Sequence, residues 1–119
     1  MAISVSSDFD YQKLLDIMEG EEEAVREIAM VFIDDVPQDL QALGHAVNER
    51  DYVQTKYWAH KLKSSVPNFV PEPEKNAPRA LEFMARDQHP WSDIETHYQR
   101  LYAQAQRTVD ALKQHFDLT

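Results

Sequence analysis

Apolar residues recur at intervals of three or four along most of the chain, which predicts amphipathic helices rather than strands. A short first helix is expected to end near Gly20, with N-cap candidates at residues 6–8. A long second helix is expected over residues 21–49, and its apolar phase passes through Pro37 without interruption. Because proline removes a backbone donor, this segment is either one kinked helix or two abutting helices divided near Val36. The apolar positions of the two segments are Tyr11, Leu14, Leu15, Met18, Val25, Ile28, Ala29, Phe32, Val36, Leu40, Leu43 and Val47.

The second half of the chain predicts three more helices. Asp51 is a candidate N-cap for the first of them, which the prolines from Pro67 onward bring to an end. Residues 68–74 are expected to form a loop, and a short helix follows with Ala77, Ala80, Leu81 and Met84 on its apolar face. Ser92 and Glu95 have the spacing of a capping box, which predicts the start of a final long helix. The apolar positions of this last helix are Ile94, Tyr98, Leu101, Ala105, Val109, Leu112 and Phe116.

These elements predict an all-α protein. The expected connections are short, which favours antiparallel neighbours, and the chain contains only two glycines. The predicted architecture is an up-down-up-down four-helix bundle with a short extra N-terminal helix. A chain of 119 residues fits a single domain, residues 1–119.

Composition and charge exclude several kinds of site and partner. The chain has no cysteine, which excludes disulfides and thiolate metal sites. A net charge of -9 would repel nucleic acid, so we expect a protein as partner. We find neither a secretory signal pattern nor an apolar run long enough to span a membrane, and we therefore expect a cytoplasmic protein. Asp34, Asp35 and Asp39 lie off the apolar phase of the second helix and are expected to face solvent.

The helix that follows Asp51 carries the candidate chemistry. Its apolar face is expected to be buried, so the opposite face presents His60 to solvent. Residues 52–71 contain three lysines and no Asp or Glu, a local charge of +3. Nearby cations favour neutral imidazole, so one ring nitrogen of His60 is expected to be available as a nucleophile. Lys63, one turn along, is placed to hold a negative group on that nitrogen. The face expected to be buried comprises Tyr52, Thr55, Ala59, Leu62, Val66 and Phe69.

The sequence AHKLKSS at residues 59–65 resembles the histidine phosphotransfer (HPt) family, whose motif is approximately A-H-x-L-K-G-S on a bundle helix. His60 matches the family phosphoacceptor, Lys63 the family lysine and Leu62 the family core leucine. Ser64 departs from the pattern, because the family usually has glycine there. The resemblance in helix layout covers most of the chain and is weaker after Phe69.

The resemblance implies a phosphorelay intermediate. The histidine of such a protein accepts a phosphoryl group from an aspartyl phosphate on a response-regulator receiver domain and passes it to another receiver, and a hybrid sensor histidine kinase is a further expected partner. The receiver is expected to supply Mg²⁺ and the aspartate, so this chain would be a monomeric carrier and not an enzyme, with no cofactor and no metal site. The expected docking face is the surface around His60: Val53, Lys56, Tyr57, Lys61, Ser64 and Pro67.

Other classes of histidine-bearing protein fit less well. His45, His89, His97 and His115 are expected to be ordinary surface residues. Neither Glu-x-x-His nor His-Glu-x-x-His occurs, which argues against a di-iron or zinc site. The dimerisation domains of sensor kinases place Glu directly after their histidine, whereas Lys61 stands there in this chain. The remaining alternative is a helical interaction domain, a degenerate relative of the HPt family, whose His60 is never phosphorylated.

Overall fold

Helices make up all the regular secondary structure in the part of the chain that the structure describes. The structure is a computed structural model and describes residues 8–118. Within these residues there is no strand, which confirms the all-α prediction. The α-helices are α1 (Tyr11–Ile17), α2 (Glu22–Asn48), α3 (Tyr52–Leu62), α4 (Val66–Phe69), α5 (Ala77–Arg86) and α6 (Trp91–His115), and a 3-10 helix (Glu74–Asn76) precedes α5.

Four helices pack around a shared apolar core. Helix α2 contacts α3 and α6, and α5 contacts the same two helices, so the four close a ring. The short α1 packs against α2. The up-down-up-down order of the ring stays a prediction. Among residues 8–118, no helix combines the length and the apolar character needed to cross a membrane. The largest fully buried side chains include Phe32, Leu14, Leu43, Leu62, Leu81, Ile94, Leu101 and Leu112.

Helix α2 continues through Pro37 as a single helix, so the division near Val36 does not occur. All its predicted apolar positions are buried except Ile28, which is partly buried. Proline costs the helix one backbone hydrogen bond. Val36 and Leu40, on either side of Pro37, are both buried in the core. Their burial offsets the lost bond and keeps the helix in phase.

The sequence predicted the N-cap of α3 correctly but not that of α1. Asp51 caps α3 as predicted, and its carboxylate accepts a hydrogen bond from the backbone N–H of Gln54 at 3.0 Å. Asp10 caps α1 in the same way, so the prediction of Asp8 as its cap is wrong. Residues 6–7, the other predicted cap candidates, lie outside the described residues.

The predicted capping box before α6 is wrong. The helix begins at Trp91 with Pro90 as N-cap and has no side-chain cap, so Ser92 already lies in its first turn. Glu95 forms an ion pair with Arg50 at 3.0 Å instead. The box is absent because the helix begins one residue before Ser92, and the Glu95 carboxylate is then available for a contact with the α2–α3 connection.

The helix that carries His60 ends earlier than predicted. Beyond Leu62 the backbone forms a tight turn in which N–H groups bond three residues back, as Ser65 does to Leu62 at 3.2 Å. Pro67 explains the break, because its ring would clash with the carbonyl four residues earlier in a continuous helix. The chain resumes as α4, in which Pro67 occupies the first turn. The loop predicted over residues 68–74 is thus wrong at both of its ends.

Candidate functional site

His60 lies on the face of α3 that points away from the core. Thr55, Ala59 and Leu62 are buried on the opposite face. The side chain of His60 is 65% exposed. The helical spacing of the buried residues therefore presents the imidazole to solvent, as the sequence predicted.

A carboxylate from another helix reaches this exposed imidazole. Glu82 Oε2 lies 2.6 Å from His60 Nδ1. Glu82 belongs to the buried face of α5, beside Leu81 and Ala85, and its side chain is only 10% exposed. Because α5 packs directly against α3, the bundle itself holds the carboxylate in place.

Lys63 binds the other oxygen of the same carboxylate. Its Nζ donates to Glu82 Oε1 at 2.9 Å. Burial raises the pKa of Glu82. The hydrogen bonds and charge of Lys63 and His60 lower it by more than burial raises it, so the pKa lies below its ordinary value. Glu82 is therefore ionised at neutral pH and bridges His60 of α3 and Lys63, the residue that follows α3.

The ionised carboxylate determines which imidazole nitrogen carries the proton. A carboxylate only accepts hydrogen bonds, so Nδ1 of His60 must be the donor. In a neutral imidazole the other nitrogen then holds the lone pair. No hydrogen bond to Nε2 is found within residues 8–118. The site thus presents an exposed, oriented imidazole whose neutral form has its lone pair on Nε2.

The prediction that no acidic residue lies near His60 is wrong, because acidic residues from other helices reach its surroundings. Glu82 contacts the ring, and Lys61 donates to Asp39 of α2 at 3.1 Å. Asp39 was expected to face solvent, yet its side chain is only 13% exposed because it lies against α3. Of the three lysines in residues 52–71, Lys61 and Lys63 therefore have carboxylate partners from distant parts of the sequence.

Three predicted docking residues lie on the first turns of α3. Val53, Lys56 and Tyr57 are all exposed, and Val53 is the most exposed large apolar residue among residues 8–118. Tyr57 packs edge-on against the partly buried Trp58. These side chains precede His60 on the same helix and extend its exposed surface by two turns.

The other predicted residues divide between two sides of the turn that follows α3. Lys61 and Ser64 line a groove toward α2, whereas Lys63 and Pro67 line a pocket toward α5. Ser64 was expected to lie beside His60, four residues along a continuous helix. Instead α3 ends at Leu62, and Ser64 lies in the turn that follows. Its hydroxyl donates to the carbonyl of Lys61 at 3.0 Å and so belongs to the turn.

Two solved structures match nearly the whole chain. One is the HPt domain of a sensor hybrid histidine kinase from Shewanella, with 17% identity, a TM-score of 0.79, and coverage of 95% of this chain and 97% of that chain. The other is histidine-containing phosphotransfer protein B from Pseudomonas aeruginosa, with 18% identity, a TM-score of 0.79, and coverage of 94% and 96%. The chain has the HPt fold. No family model matches the sequence, and comparison with curated proteins gave no significant match.

Sequence reasoning missed an apolar groove on one side of this HPt fold. A cavity of about 390 Å³ lies between α1, α2 and the turn after α3. Val31 and Ile17 line it, and Val31 is 59% exposed. Val31 stands outside the buried phase of α2, and this off-phase apolar residue was the available signal.

Sequence reasoning also missed Glu82, the residue that orients the imidazole. The buried face of α5 includes Pro78, Leu81 and Ala85, and Glu82 stands at a spacing of four from Pro78 and three from Ala85. A carboxylate at a core-facing position requires a partner. That requirement was readable in the sequence, but the identity of the partner depended on how α5 packs in the HPt fold.

Proposed function

We propose that the protein is a phosphorelay intermediate in which His60 accepts a phosphoryl group from an aspartyl phosphate on a receiver domain and passes it to a second receiver. The observation that carries this proposal is the exposed imidazole of His60, whose Nδ1 donates to the carboxylate of Glu82, so that the neutral ring has its lone pair on Nε2. The HPt fold supports it, since both similar structures are named for histidine phosphotransfer.

The proposed transfer is an in-line displacement at phosphorus. A bond forms between His60 Nε2 and phosphorus while the bond from phosphorus to the aspartyl oxygen breaks, and the aspartate leaves as a carboxylate. The imidazole then carries a positive charge, with Nδ1–H still directed at Glu82. A carboxylate at that position stabilises the cationic ring and fixes its orientation. Transfer to the second receiver is the reverse displacement.

Lys63 acts at two points in this proposal. In the resting protein its ammonium binds Glu82 and keeps that carboxylate ionised and oriented. During transfer it supplies a positive charge one turn from His60, where the phosphoryl oxygens carry negative charge. The receiver supplies the aspartate and Mg²⁺, so this chain serves as a carrier and not as an enzyme.

The proposed receiver-docking face joins the exposed part of α3 to the groove beside α2. Val53 and Tyr57 precede His60, and Val31 lines the groove. Exposed apolar side chains around a polar centre are a common feature of protein interfaces. The partners would be response-regulator receivers and a hybrid sensor histidine kinase, with the carrier acting as a cytoplasmic monomer that binds no nucleic acid. The rest of this face comprises Lys56, Lys61, Ser64 and Pro67.

The test is phosphotransfer from radiolabelled receivers to the purified protein. The wild type should take up label that is acid-labile and base-stable, the behaviour of phosphohistidine. His60→Gln should take up none while keeping the helicity of the wild type. His45→Gln is the matched control, because His45 is also exposed but lies on α2, and it should be labelled like the wild type.

Label on His60→Gln would show that another residue is the acceptor. A wild-type protein that binds receivers but takes up no label from any of them would support the alternative, a helical interaction domain without phosphorylation. The first result tests whether His60 is the acceptor residue, and the second tests whether the protein is a phosphorelay intermediate at all.

A further inference from the structure

A basic pocket lies next to the His60 site on the side of α5. Its volume is about 330 Å³. Half of its lining residues are cations, and none is acidic. In a chain with a net charge of -9, three cations around one cavity are a marked local departure from the average. The lining residues are Lys63, Pro67, Lys75, Asn76, Arg79 and Phe83.

Two of these cations have no carboxylate partner among the residues that the structure describes. Within residues 8–118, neither Lys75 nor Arg79 forms an ion pair, and Arg79 instead lies over the ring of Phe83 at 5.4 Å. Lys13 Nζ donates to the carbonyl of Pro67 at 3.0 Å, but Asp10 and Glu72 lie close enough to Lys13 to offset part of its charge. The positive charge of the pocket is therefore not balanced by the residues that line it.

The backbone adds to this positive potential. Helix α5 begins at Ala77, and Asn76 and Arg79, at its N-terminus, both line the pocket. The helix dipole is the only backbone contribution at the first two positions, because the N–H of Ala77 already donates to the carbonyl of Glu74 and Pro78 has no N–H. The positive end of the helix dipole lies at the same place.

We propose that this pocket binds an oxyanion of the phosphate class, held by Lys63, Lys75 and Arg79 at the N-terminus of α5. A phosphate has oxygens in several directions and up to two negative charges, so it suits a cavity lined by three cations better than a singly charged carboxylate does. The guanidinium of Arg79 can bind two of these oxygens at once. The volume lies at the lower end of the range for small-ligand sites.

Lys63 connects this pocket to the phosphoacceptor site. Its ammonium binds Glu82, which in turn binds His60. An oxyanion in the pocket competes with Glu82 for that ammonium. The occupied pocket would therefore weaken the Lys63–Glu82 contact. The binding itself does not depend on phosphorylation of His60, so it is tested without any receiver.

The experiment is an NMR titration of the ¹⁵N-labelled protein with inorganic phosphate, with NaCl adjusted to hold ionic strength constant. The amides of Asn76 and Arg79 should shift along a saturable curve, with a dissociation constant on the order of 10 mM for a partly exposed site. The double variant Lys75→Gln/Arg79→Gln should bind about tenfold more weakly. Arg26→Gln is the matched control, because it removes one positive charge from α2 outside the pocket.

Two further ligands define the class. Acetate should produce no saturable shift at the same ionic strength, and methyl phosphate should bind like phosphate if the pocket accepts phosphate esters. Binding of phosphate but not of methyl phosphate would identify free phosphate as the ligand. Linear shifts with phosphate, equal shifts with acetate, or unchanged binding in the double variant would each overturn the proposal. Circular dichroism of the double variant excludes loss of fold as the cause of weaker binding.

Discussion

The carboxylate oxygen Oε2 of Glu82 lies 2.6 Å from Nδ1 of His60, although the two residues are 22 positions apart in the chain. One is largely buried on α5 and the other is exposed on α3. The contact combines a fixed, ionised acceptor with a ring that a partner protein can reach. It is the structural feature on which the proposed chemistry of His60 most depends.

Replacing Glu82 with glutamine should slow phosphorylation of His60. The amide oxygen can still accept from Nδ1, but the negative charge that stabilises the phosphorylated, cationic ring is lost. A hydrogen bond to a charged group contributes about 1.5–3 kcal/mol, so Glu82→Gln should reduce the rate at least about tenfold. The measurement is the initial rate of label uptake from one phosphorylated receiver. An unchanged rate would mean that Glu82 has only a structural function.

The separation of these two residues explains why sequence could predict one and not the other. The apolar stripe of α3, with Ala59 and Leu62 buried, is a local pattern, and it was enough to place His60 at the surface. Glu82 reaches the site only because α5 packs against α3. No local pattern states which helices are neighbours. The charge pattern of α3 alone therefore could not predict that Glu82 lies next to His60, because that contact depends on tertiary packing.

The same distinction holds for helix ends. Asp51 caps α3 as predicted because its partner, the backbone N–H of Gln54, is three residues away. The capping box at Ser92 failed because α6 begins at Trp91, so Ser92 is not the N-cap, and Glu95 instead pairs with Arg50 of the α2–α3 connection. The local hydrogen bond of Asp51 was predictable, whereas the tertiary ion pair of Glu95 was not.

The stability of the protein should depend on pH through Glu82. Its pKa in the folded protein lies below the ordinary value of 4.5, so the unfolded chain binds its proton more tightly. The resulting stabilisation is present above pH 4.5 and is lost as pH falls through the folded-state pKa. Lys63 and His60 are the side chains that hydrogen-bond this carboxylate.

Urea unfolding of wild type and Glu82→Gln at several pH values measures this contribution. The variant has no carboxylate at this position to titrate, so its stability should fall less steeply than that of the wild type below pH 4.5. The advantage of the wild type should therefore shrink with acid. A difference that stays constant, or grows as the pH falls, would contradict the assigned direction of the pKa shift.

Removing Lys63 should affect both the carboxylate and the transfer rate. Lys63→Ala deletes a hydrogen bond and a positive charge at Glu82, so the pKa of Glu82 should rise. A ¹³C NMR titration of the Glu82 carboxyl measures that change. Exposed charge contacts contribute about 1 kcal/mol or less, so phosphoryl uptake should slow by about tenfold at most, with a smaller difference in high salt. Equal rates at low salt would remove Lys63 from the mechanism.

Gly44 is needed where α2 meets α6. A Cβ at this position would collide with the hydroxyl of Tyr98 and lie 2.8 Å from its Cζ. That hydroxyl donates to the carbonyl of Leu40 at 3.0 Å, so the ring cannot simply move aside without losing the bond. Gly44→Ala should therefore destabilise the protein by about 1–3 kcal/mol, despite the better helix propensity of alanine.

Thermal or urea unfolding measures the cost of Gly44→Ala. In the double variant Gly44→Ala/Tyr98→Phe the hydroxyl that collides is absent, so the two costs should be less than additive. Label uptake by His60 should be unchanged, because Gly44 and Tyr98 lie on α2 and α6, away from the α3–α5 contact. Additive costs would show that contact with the hydroxyl is not the main source of the destabilisation.

Ser64 stands where the HPt motif has glycine, and the structure changes what its replacement should do. The residue lies in the turn after α3, it is exposed, and its hydroxyl donates to the carbonyl of Lys61. Ser64→Gly removes one exposed hydrogen bond and adds backbone freedom in the unfolded chain, so it should cost about 0.5–1 kcal/mol of stability. Phosphoryl uptake should stay within about tenfold of the wild type, because the imidazole is oriented by Glu82 and not by Ser64. The comparison uses uptake rates of both proteins from one receiver. If only the glycine variant were phosphorylated, the serine side chain would block docking, and the natural protein would be an interaction domain that binds without accepting phosphate.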